Sequence, residues 1–172
     1  MPELVPILEK DDIDKIVAEV AHKISNDYQD KELILIGVLK GAFIFLSDLI
    51  RHLTIQVKVD FIGASSYGSG TSSSEKVKIT KNIGIDIREK DVLIIEDIID
   101  TGLTLDFIKA YLESFRPQSV KVCTMLNKKE RRKTSVVIDY IGHEFEKGFL
   151  VGYGLDFDEK YRNLPDIYHL KF

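Results

Sequence analysis

The stretch VLIIEDIIDTGLTL, residues 92–105, joins a short apolar run to an amphipathic pattern with almost no linker. The apolar run is long enough for a buried strand, and Glu96 and Asp97 stand where we expect that strand to end. A third acid, Asp100, opens a turn that contains Gly102, after which apolar residues recur at helical spacing. The stretch therefore predicts a buried strand that turns directly into a helix, with three carboxylates at the junction.

The same alternation of strands and helices continues on both sides of this stretch. Near-continuous apolar runs are typical of strands covered on both faces, whereas apolar residues three and four apart are typical of helices. The patterns predict strands at residues 32–39, 55–65, 76–83, 91–97, 119–126 and 135–145, and helices at residues 11–24, 42–53 and 104–115. Alternating elements of this kind form an α/β fold with a mostly parallel sheet. The 172 residues suit one domain over residues 1–172.

The composition limits the classes of protein to consider. A net charge of −4 argues against a nucleic-acid partner. The one cysteine, Cys123, lies in an apolar run and is expected to be an inert core residue. No apolar run approaches the roughly 20 residues of a membrane span, and no basic segment followed by an apolar stretch opens the sequence. We therefore expect a cytoplasmic protein with no membrane partner.

The turn after the apolar run has the composition of a phosphate-binding loop. Ligands of open parallel sheets bind at the carboxyl ends of the strands, and a helix N-terminus presents unpaired N–H groups to an anion. Gly102 lets the backbone approach a ligand closely, and Thr101 and Thr104 add hydroxyl donors. The loop lacks the Gly-Lys-Ser/Thr of a nucleotide P-loop. It therefore predicts a phosphate site of another kind.

The acids beside this turn suit a ribose. Carboxylates accept hydrogen bonds from vicinal sugar hydroxyls, and they stabilise positive charge that develops on an anomeric carbon. The alternative is helix capping, in which Asp97 or Asp100 binds backbone N–H groups. Capping explains one acid but not three, so the pattern favours a sugar-phosphate site.

Residues 92–104, VLIIEDIIDTGLT, resemble at every position the signature of the type I phosphoribosyltransferases. That signature is an apolar strand, two acids, two apolar residues, Asp, Thr or Ser, Gly, any residue and Thr. Nearly the whole chain is similar to the hypoxanthine-guanine members of this family. The resemblance implies a twisted, mostly parallel sheet flanked by helices, with a small hood formed by the termini. Several members carry a basic residue where this chain has Leu103, and we expect the backbone cradle to tolerate the difference.

The resemblance also assigns residues to the sugar and its phosphates. It implies that Glu96 and Asp97 bind the ribose hydroxyls and that Asp100 is the catalytic base, or the acid in the reverse reaction. The residues implied for the 5′-phosphate are Asp100, Thr101, Gly102, Leu103 and Thr104, and those implied for pyrophosphate are Leu39, Lys40, Gly41 and Arg162. Without the resemblance, residues 39–41 fit a strand-to-helix turn with an exposed lysine.

The remaining implied residues concern the purine, the metal and a lid. The residues implied for the purine are Lys128, Phe149, Leu150 and Asp156, and those implied for Mg²⁺ are Glu96, Asp97 and Asp156. Taken alone, Lys128 fits a surface lysine of the basic run NKKERRK, and Phe149 fits a core residue. Ser66 and Tyr67 resemble the Ser-Tyr pair of a catalytic lid, although the Gly/Ser-rich residues 66–76 also fit a hairpin connection.

The reaction implied by the resemblance moves a 5-phosphoribosyl group from phosphoribosyl pyrophosphate to N9 of hypoxanthine or guanine. The products are IMP or GMP and pyrophosphate. The family suggests a homodimer or a homotetramer. The sequence leaves the preference among hypoxanthine, guanine and xanthine open, because the 2-position of the base is read mostly by backbone groups.

Two other classes of protein share parts of the pattern. A phosphoacceptor signalling domain also has a strand that ends in an acidic pair, and Asp139 and Lys147 follow at suitable distances. That interpretation expects more units after Asp97 than the sequence supplies, and it gives the residues before 91 no role. A nucleotide-sensing RNA-binding regulator would keep the phosphate loop but need a basic face, and only NKKERRK, residues 127–133, offers one.

Overall fold

The computed structural model describes residues 1–67 and 76–172, and for Tyr67 it describes the backbone alone. The strands of the described residues are β1 (Glu3–Leu8), β2 (Leu33–Leu39), β3 (Val57–Tyr67), β4 (Lys76–Lys81), β5 (Asp91–Ile99), β6 (Ser119–Lys128), β7 (Tyr140–Phe145), β8 (Leu150–Val151) and β9 (Ile167–Lys171), and the helices are α1 (Lys10–Asp27), α2 (Phe43–His52) and α3 (Leu103–Glu113). None of these three helices combines the length and the apolarity that crossing a bilayer requires.

Six strands form a central sheet in the order β4-β3-β2-β5-β6-β7. All neighbours are parallel except the edge strand β4, which runs antiparallel to β3. From β2 the chain passes through α2 to β3 on one side, whereas from β5 it passes through α3 to β6 on the other. The winding therefore reverses between β2 and β5, and the carboxyl ends of such a strand pair are where ligands of open α/β sheets bind.

The apolar run of β2 is explained by the helices that cover both faces of the sheet. Leu33 and Leu35 pack in a cluster with residues of α1 and α2, whereas Ile34 and Ile36 pack in a second cluster with residues of α3. Cys123 of β6 is fully buried with a free thiol, as expected. The predicted class, a mostly parallel α/β sheet flanked by helices, is confirmed.

The predicted hood is also present, as a second, three-stranded sheet. In it β9 pairs antiparallel with both β1 and β8, so the two ends of the chain meet. The strands β1, β8 and β9 have no counterpart among the strands predicted from the sequence. The residues of β1 are mostly exposed or half-exposed and include Pro6, so the apolar pattern that marks a core strand is weak there.

All six predicted strands differ in their bounds from the structure, and the differences in β5, β6 and β7 are the ones that matter for the site. Ladder pairs such as Ile99 with Asn127 carry β5 and β6 further than predicted, so Glu96 and Asp97 lie within β5 rather than at its end. Asn127 likewise belongs to β6 instead of following it. Residues 135–139 are not part of β7, which begins at Tyr140.

The predicted lid lies in the connection between β3 and β4. Ser66 pairs with Val77 and Tyr67 pairs with Lys76, so the two strands form the hairpin that the alternative interpretation expected. Ser66 is exposed at the end of β3. Residues 68–75, which make up most of the predicted lid, lie outside the described residues.

Candidate active site

A cavity of about 310 Å³ opens at the carboxyl ends of β2 and β5, where the winding reverses. The predicted site residues in its lining are Leu39, Lys40, Gly41, Glu96, Asp97, Asp100, Thr101, Gly102, Thr104, Asp156 and Arg162. The structure thus brings together the residues that the sequence assigned to sugar, phosphate and pyrophosphate. Leu103 is the exception: it begins α3, and its backbone N–H donates to Thr101 Oγ1 at 3.3 Å.

The turn between β5 and α3 depends on one glycine. Gly102 is the N-cap of α3 and has a left-handed backbone, with φ of +84°. A side chain at this position would also overlap the hydroxyl of Thr134. The first N–H groups of a helix lack intrahelical partners, and here they begin at the cavity. The geometry therefore supports an anion site at residues 100–104.

A second glycine brings the loop after β2 against the acids of β5. A Cβ atom on Gly41 would overlap the carboxylate of Asp97. The carbonyl of Gly41 is in turn covered by Gly154, and the Leu39–Lys40 peptide bond is cis. The backbone of the predicted pyrophosphate loop therefore lies directly on the predicted ribose-binding acids.

Glu96 and Asp97 form a buried acidic pair. Glu96 is only 8% exposed, and its burial together with the neighbouring charge of Asp97 raises its pKa well above the usual range. Burial also raises the pKa of Asp97, although hydrogen bonds, among them one from the Ile98 N–H at 2.7 Å, oppose the shift. The folded protein therefore holds negative charge at a cost, which a bound cation would relieve.

We predict that Glu96→Gln stabilises the ligand-free protein. Because the folded pKa of Glu96 lies above its unfolded value, the wild type loses stability as pH rises from about 4.3 through the folded pKa. Glutamine does not ionise, so the melting temperature should rise by roughly 2–4 °C near neutral pH, the effect of about 1 kcal/mol. Thermal unfolding against pH measures the difference, with the exposed Glu113→Gln as the matched control. A gain that shrinks as pH rises would contradict the prediction.

Arg162 reaches the cavity from the segment between β8 and β9. Its Nη1 donates to the carbonyl of Gly154 at 2.7 Å, and its Nη2 lies 3.3 Å from Asp156 Oδ1. The guanidinium is therefore fixed at one side of the cavity, close to the loop after β2 that contains Lys40. Both predicted pyrophosphate-binding cations border the same space.

Lys128 lies beside this cavity and is not a surface residue. It is 7% exposed, and its Nζ is 3.8 Å from Asp100 Oδ2 and 3.9 Å from Glu130 Oε2. Glu130 also accepts the N–H of Gly148 at 3.1 Å, which connects Lys128 to the segment before Phe149. The other oxygen of Asp100, Oδ1, is buried and has no hydrogen-bond partner within residues 1–67 and 76–172.

Phe149 belongs to an exposed aromatic cluster rather than to the core. It is 42% exposed and contacts Phe157 edge to face, with ring centroids 5.5 Å apart. Phe172 also contacts both rings. Leu150 is buried in β8, where its backbone pairs with β9. An exposed ring in this position is suited to stacking against a flat ligand.

The sequence reasoning missed Arg132, which joins the ends of β5 and β6. Its Nε donates to the carbonyl of Asp100 at 2.9 Å, and its Nη2 donates to the carbonyls of Ile99 at 3.3 Å and Lys128 at 3.2 Å. The same Nη2 donates to Asn127 Oδ1 at 2.5 Å. The run NKKERRK is basic by composition, but periodicity does not reveal which of its cations turns inward.

Comparisons with known proteins agree with this geometry. A family model described as a phosphoribosyl transferase domain matches residues 7–158. The hypoxanthine-guanine phosphoribosyltransferase of Aquifex aeolicus is 47% identical over 163 residues, which cover 94% of this chain and 92% of that protein. The chain belongs to the hypoxanthine-guanine phosphoribosyltransferase family. The Staphylococcus aureus enzyme of the same name is 44% identical and covers 96% of this chain and 92% of its own length.

Solved structures of this family share the fold. A crystal structure of a Bacillus anthracis hypoxanthine-guanine phosphoribosyltransferase matches with a TM-score of 0.92 and 42% identity, over 99% of both chains. The hypoxanthine phosphoribosyltransferase of Trypanosoma cruzi, solved as a mutant in a ternary substrates complex, matches with a TM-score of 0.91 and 37% identity. That match covers 99% of this chain and 96% of the other. The family assignment excludes the signalling-domain alternative.

The acids of this phosphoribosyltransferase fit a magnesium ion that is shared with the phosphates of a substrate. No group of three or more His, Cys, Asp or Glu residues is arranged to hold a metal within the described part of the chain, so Glu96, Asp97 and Asp156 do not form a three-ligand site. Magnesium is usually held by one or two carboxylates together with substrate phosphates. The pair Glu96 and Asp97 fits that mode, because two adjacent carboxylates border the cavity and offer oxygen ligands there.

Proposed function

We propose that this protein transfers the 5-phosphoribosyl group of phosphoribosyl pyrophosphate to N9 of hypoxanthine or guanine. The products are IMP or GMP and pyrophosphate, as in purine salvage. The observation that carries the proposal is the cavity where the winding reverses. It joins the turn at residues 100–104, the acids Glu96 and Asp97, and the loop at residues 39–41. Membership of the hypoxanthine-guanine phosphoribosyltransferase family supports the same reaction.

The sugar phosphate would be held by the β5–α3 junction. The N–H groups of Thr101, Gly102, Leu103 and Thr104 and the two threonine hydroxyls would bind the 5′-phosphate. Glu96 and Asp97 would accept hydrogen bonds from the 2′- and 3′-hydroxyls. As the bond from the anomeric carbon to pyrophosphate breaks, positive charge develops on the sugar. The negative charge of the pair stabilises that charge, so much of the catalysis is electrostatic.

Asp100 is the residue to which we assign the transfer of the purine proton. Its Oδ2 faces Lys128 at 3.8 Å and Arg131 at 3.5 Å, whereas its Oδ1 is buried and unpartnered within the described ranges. Oδ1 is therefore enclosed by the protein, and Oδ2, which the two cations orient, is the oxygen that would meet the purine. We assign Asp100 as the general base in synthesis and the general acid in the reverse reaction.

Pyrophosphate would leave between Lys40 and Arg162, with the backbone of residues 39–41 beside it. Magnesium, when bound by Glu96, Asp97 or Asp156 together with phosphate oxygens, would supply positive charge that neutralises the leaving group. Asp156 accepts the N–H of Glu159 at 2.9 Å, which fixes its carboxylate at the edge of the cavity.

The base would bind between Lys128 and Phe149. Lys128 would donate to the 6-oxygen that hypoxanthine and guanine share, and Phe149 would stack on the ring. The backbone at Leu150 and the region of Asp156 would face the 2-position. A donor at the 6-position would favour 6-oxopurines, whereas those backbone groups would decide among hypoxanthine, guanine and xanthine.

We predict that Lys128→Met raises the KM for the purine by about tenfold or more, since a hydrogen bond from a charged donor contributes roughly 1.5–3 kcal/mol. The KM for phosphoribosyl pyrophosphate should change little. Steady-state kinetics with each substrate varied in turn measures the difference. Lys129→Met is the matched control, because Lys129 is exposed and its ion pair is with Glu144, at 3.5 Å. If both variants raise the KM for the purine equally, Lys128 does not bind the base.

A pyrophosphate-release assay tests the proposed reaction. The protein would be incubated with phosphoribosyl pyrophosphate, magnesium and hypoxanthine, guanine, xanthine or adenine in turn. We expect pyrophosphate release that depends on a 6-oxopurine and on magnesium, with IMP or GMP formed in equal amount. Pyrophosphate release without nucleotide formation, or activity with adenine alone, would contradict the proposal.

We further propose that the enzyme is a homodimer or a homotetramer. The support is family membership, and a solved Trypanosoma cruzi structure concerns the role of the C-terminal region in oligomeric state and activity of that enzyme. Sedimentation equilibrium would give the mass of the assembly directly, and a monomer at every concentration would contradict this part of the proposal.

A further inference from the structure

Glu159 has no part in the mechanism above, yet it lies between the two cations assigned to pyrophosphate. Its Oε2 is 2.9 Å from Lys40 Nζ, and its Oε1 is 3.2 Å from Arg162 Nη2. The two oxygens of one carboxylate therefore contact both cations at once. The same side chain links the loop after β2 to the segment between β8 and β9.

The backbone around Glu159 gives the carboxylate a defined position. Phe157 and Lys160 exchange two backbone hydrogen bonds, of 3.1 and 3.0 Å, which close a tight turn. Asp158 and Glu159 in the middle of that turn both have positive φ, of 53° and 61°. The N–H of Glu159 donates to Asp156 Oδ2 at 2.9 Å. Backbone in the left-handed region is costly for such residues, so the turn is specifically held at the cavity's edge.

The carboxylate presents to these cations what a pyrophosphate oxygen would present. Lys40 and Arg162 offer only donors, and carboxylate and phosphate oxygens match the guanidinium fork in the same way. The hydrogen bond from Lys40 lowers the pKa of Glu159, so its charge persists at neutral pH. Lys40 and Glu159 are 66% and 63% exposed, and exposed ion pairs of this kind are weak and readily exchanged.

We propose that Glu159 is a positioning residue that stands in for pyrophosphate. The Glu159 carboxylate keeps the side chains of Lys40 and Arg162 in position while no anion is bound between them. An incoming pyrophosphate group then displaces the carboxylate. The carboxylate then competes for the cations, so it weakens the hold on pyrophosphate and speeds its release. This inference rests on the proposed function, because it takes Lys40 and Arg162 as pyrophosphate ligands.

Titration calorimetry of pyrophosphate with magnesium, on wild type and Glu159→Gln, tests the inference. We expect the variant to bind pyrophosphate about fivefold more tightly, as expected from the loss of the exposed, competing ion pair with Lys40. The difference should narrow as salt is added, since salt screens exposed charges. In steady-state kinetics the KM for phosphoribosyl pyrophosphate should fall, whereas the KM for the purine should stay unchanged. If Glu159 only stabilised the turn, its replacement would not lower the KM for phosphoribosyl pyrophosphate while leaving the KM for the purine unchanged.

Asp158→Asn is the matched control. It removes the same charge one residue away, from a side chain that is 77% exposed and whose ion pair is with Lys160, at 3.6 Å. We expect it to bind pyrophosphate as the wild type does. Equal or weaker binding by Glu159→Gln overturns the inference, and so does equal tightening by Asp158→Asn. If the wild type binds neither pyrophosphate nor phosphoribosyl pyrophosphate, the proposed function fails and the inference fails with it.

Discussion

Replacing Asp100 by asparagine should lower turnover by at least about tenfold, since general acid–base catalysis typically contributes roughly 10²–10⁴-fold. Asparagine has the same shape but does not take up the purine proton. The side chain is partly buried between Lys128 and Arg131, and both contacts involve Oδ2. The isosteric change should therefore keep the fold and the binding of IMP. Steady-state formation of IMP gives the turnover number, and calorimetric titration with IMP gives the affinity.

The control for this variant is Asp106→Asn, which changes an exposed acid in the first turn of α3. We expect its turnover to match that of the wild type. Unchanged turnover in Asp100→Asn would remove Asp100 from its assigned role. Loss of IMP affinity by Asp100→Asn would instead show that the carboxylate belongs to the phosphate cradle more than to the proton transfer.

Arg132→Met should have the second largest effect, because it removes four hydrogen bonds that join β5 to β6. The carbonyls of Ile99, Asp100 and Lys128 would each lose a charged donor. We expect the free energy of unfolding to fall by about 2–4 kcal/mol, as when a partly buried charged network is broken. We also expect kcat/KM to fall by about tenfold or more for both substrates. The phosphate turn and the base site would no longer be held in a fixed position relative to each other.

Chemical denaturation and steady-state kinetics measure the two effects of Arg132→Met separately. Lys133→Met is the control: it also removes a cation, but Lys133 is exposed and contacts the turn through its backbone N–H, which donates to the Thr101 carbonyl at 2.8 Å. If Arg132→Met is destabilised but has the kinetic constants of the wild type, Arg132 has a structural role only.

Much of the fold could be predicted because its signals are local. The apolar runs of β2 and β5 and the helical spacing of α1, α2 and α3 are read within short windows. The strand bounds were less accurate, because β5 and β6 extend one another through ladder pairing that no single window contains. The strand β1 was missed for a related reason, since its partner β9 lies at the other end of the chain.

The site residues also fall into those that a local motif predicts and those that only long-range contacts reveal. The phosphate turn is one contiguous motif, so residues 100–104 could be found from the sequence, and Gly102 proved to have the left-handed backbone that the motif needs. The inward turn of Arg132 and the position of Glu159 depend on contacts between distant segments. Spacing does not encode such contacts, so both residues looked like ordinary members of charged runs. The burial of Lys128 was equally hidden within its basic surroundings.

A crystal structure of the protein with bound IMP or GMP tests the central claim most directly. We predict that the 5′-phosphate lies against the backbone of residues 101–104, and that the ribose hydroxyls face Glu96 and Asp97. The base should lie between Lys128 and Phe149. A nucleotide bound elsewhere, with the turn between β5 and α3 free of phosphate, would contradict the account.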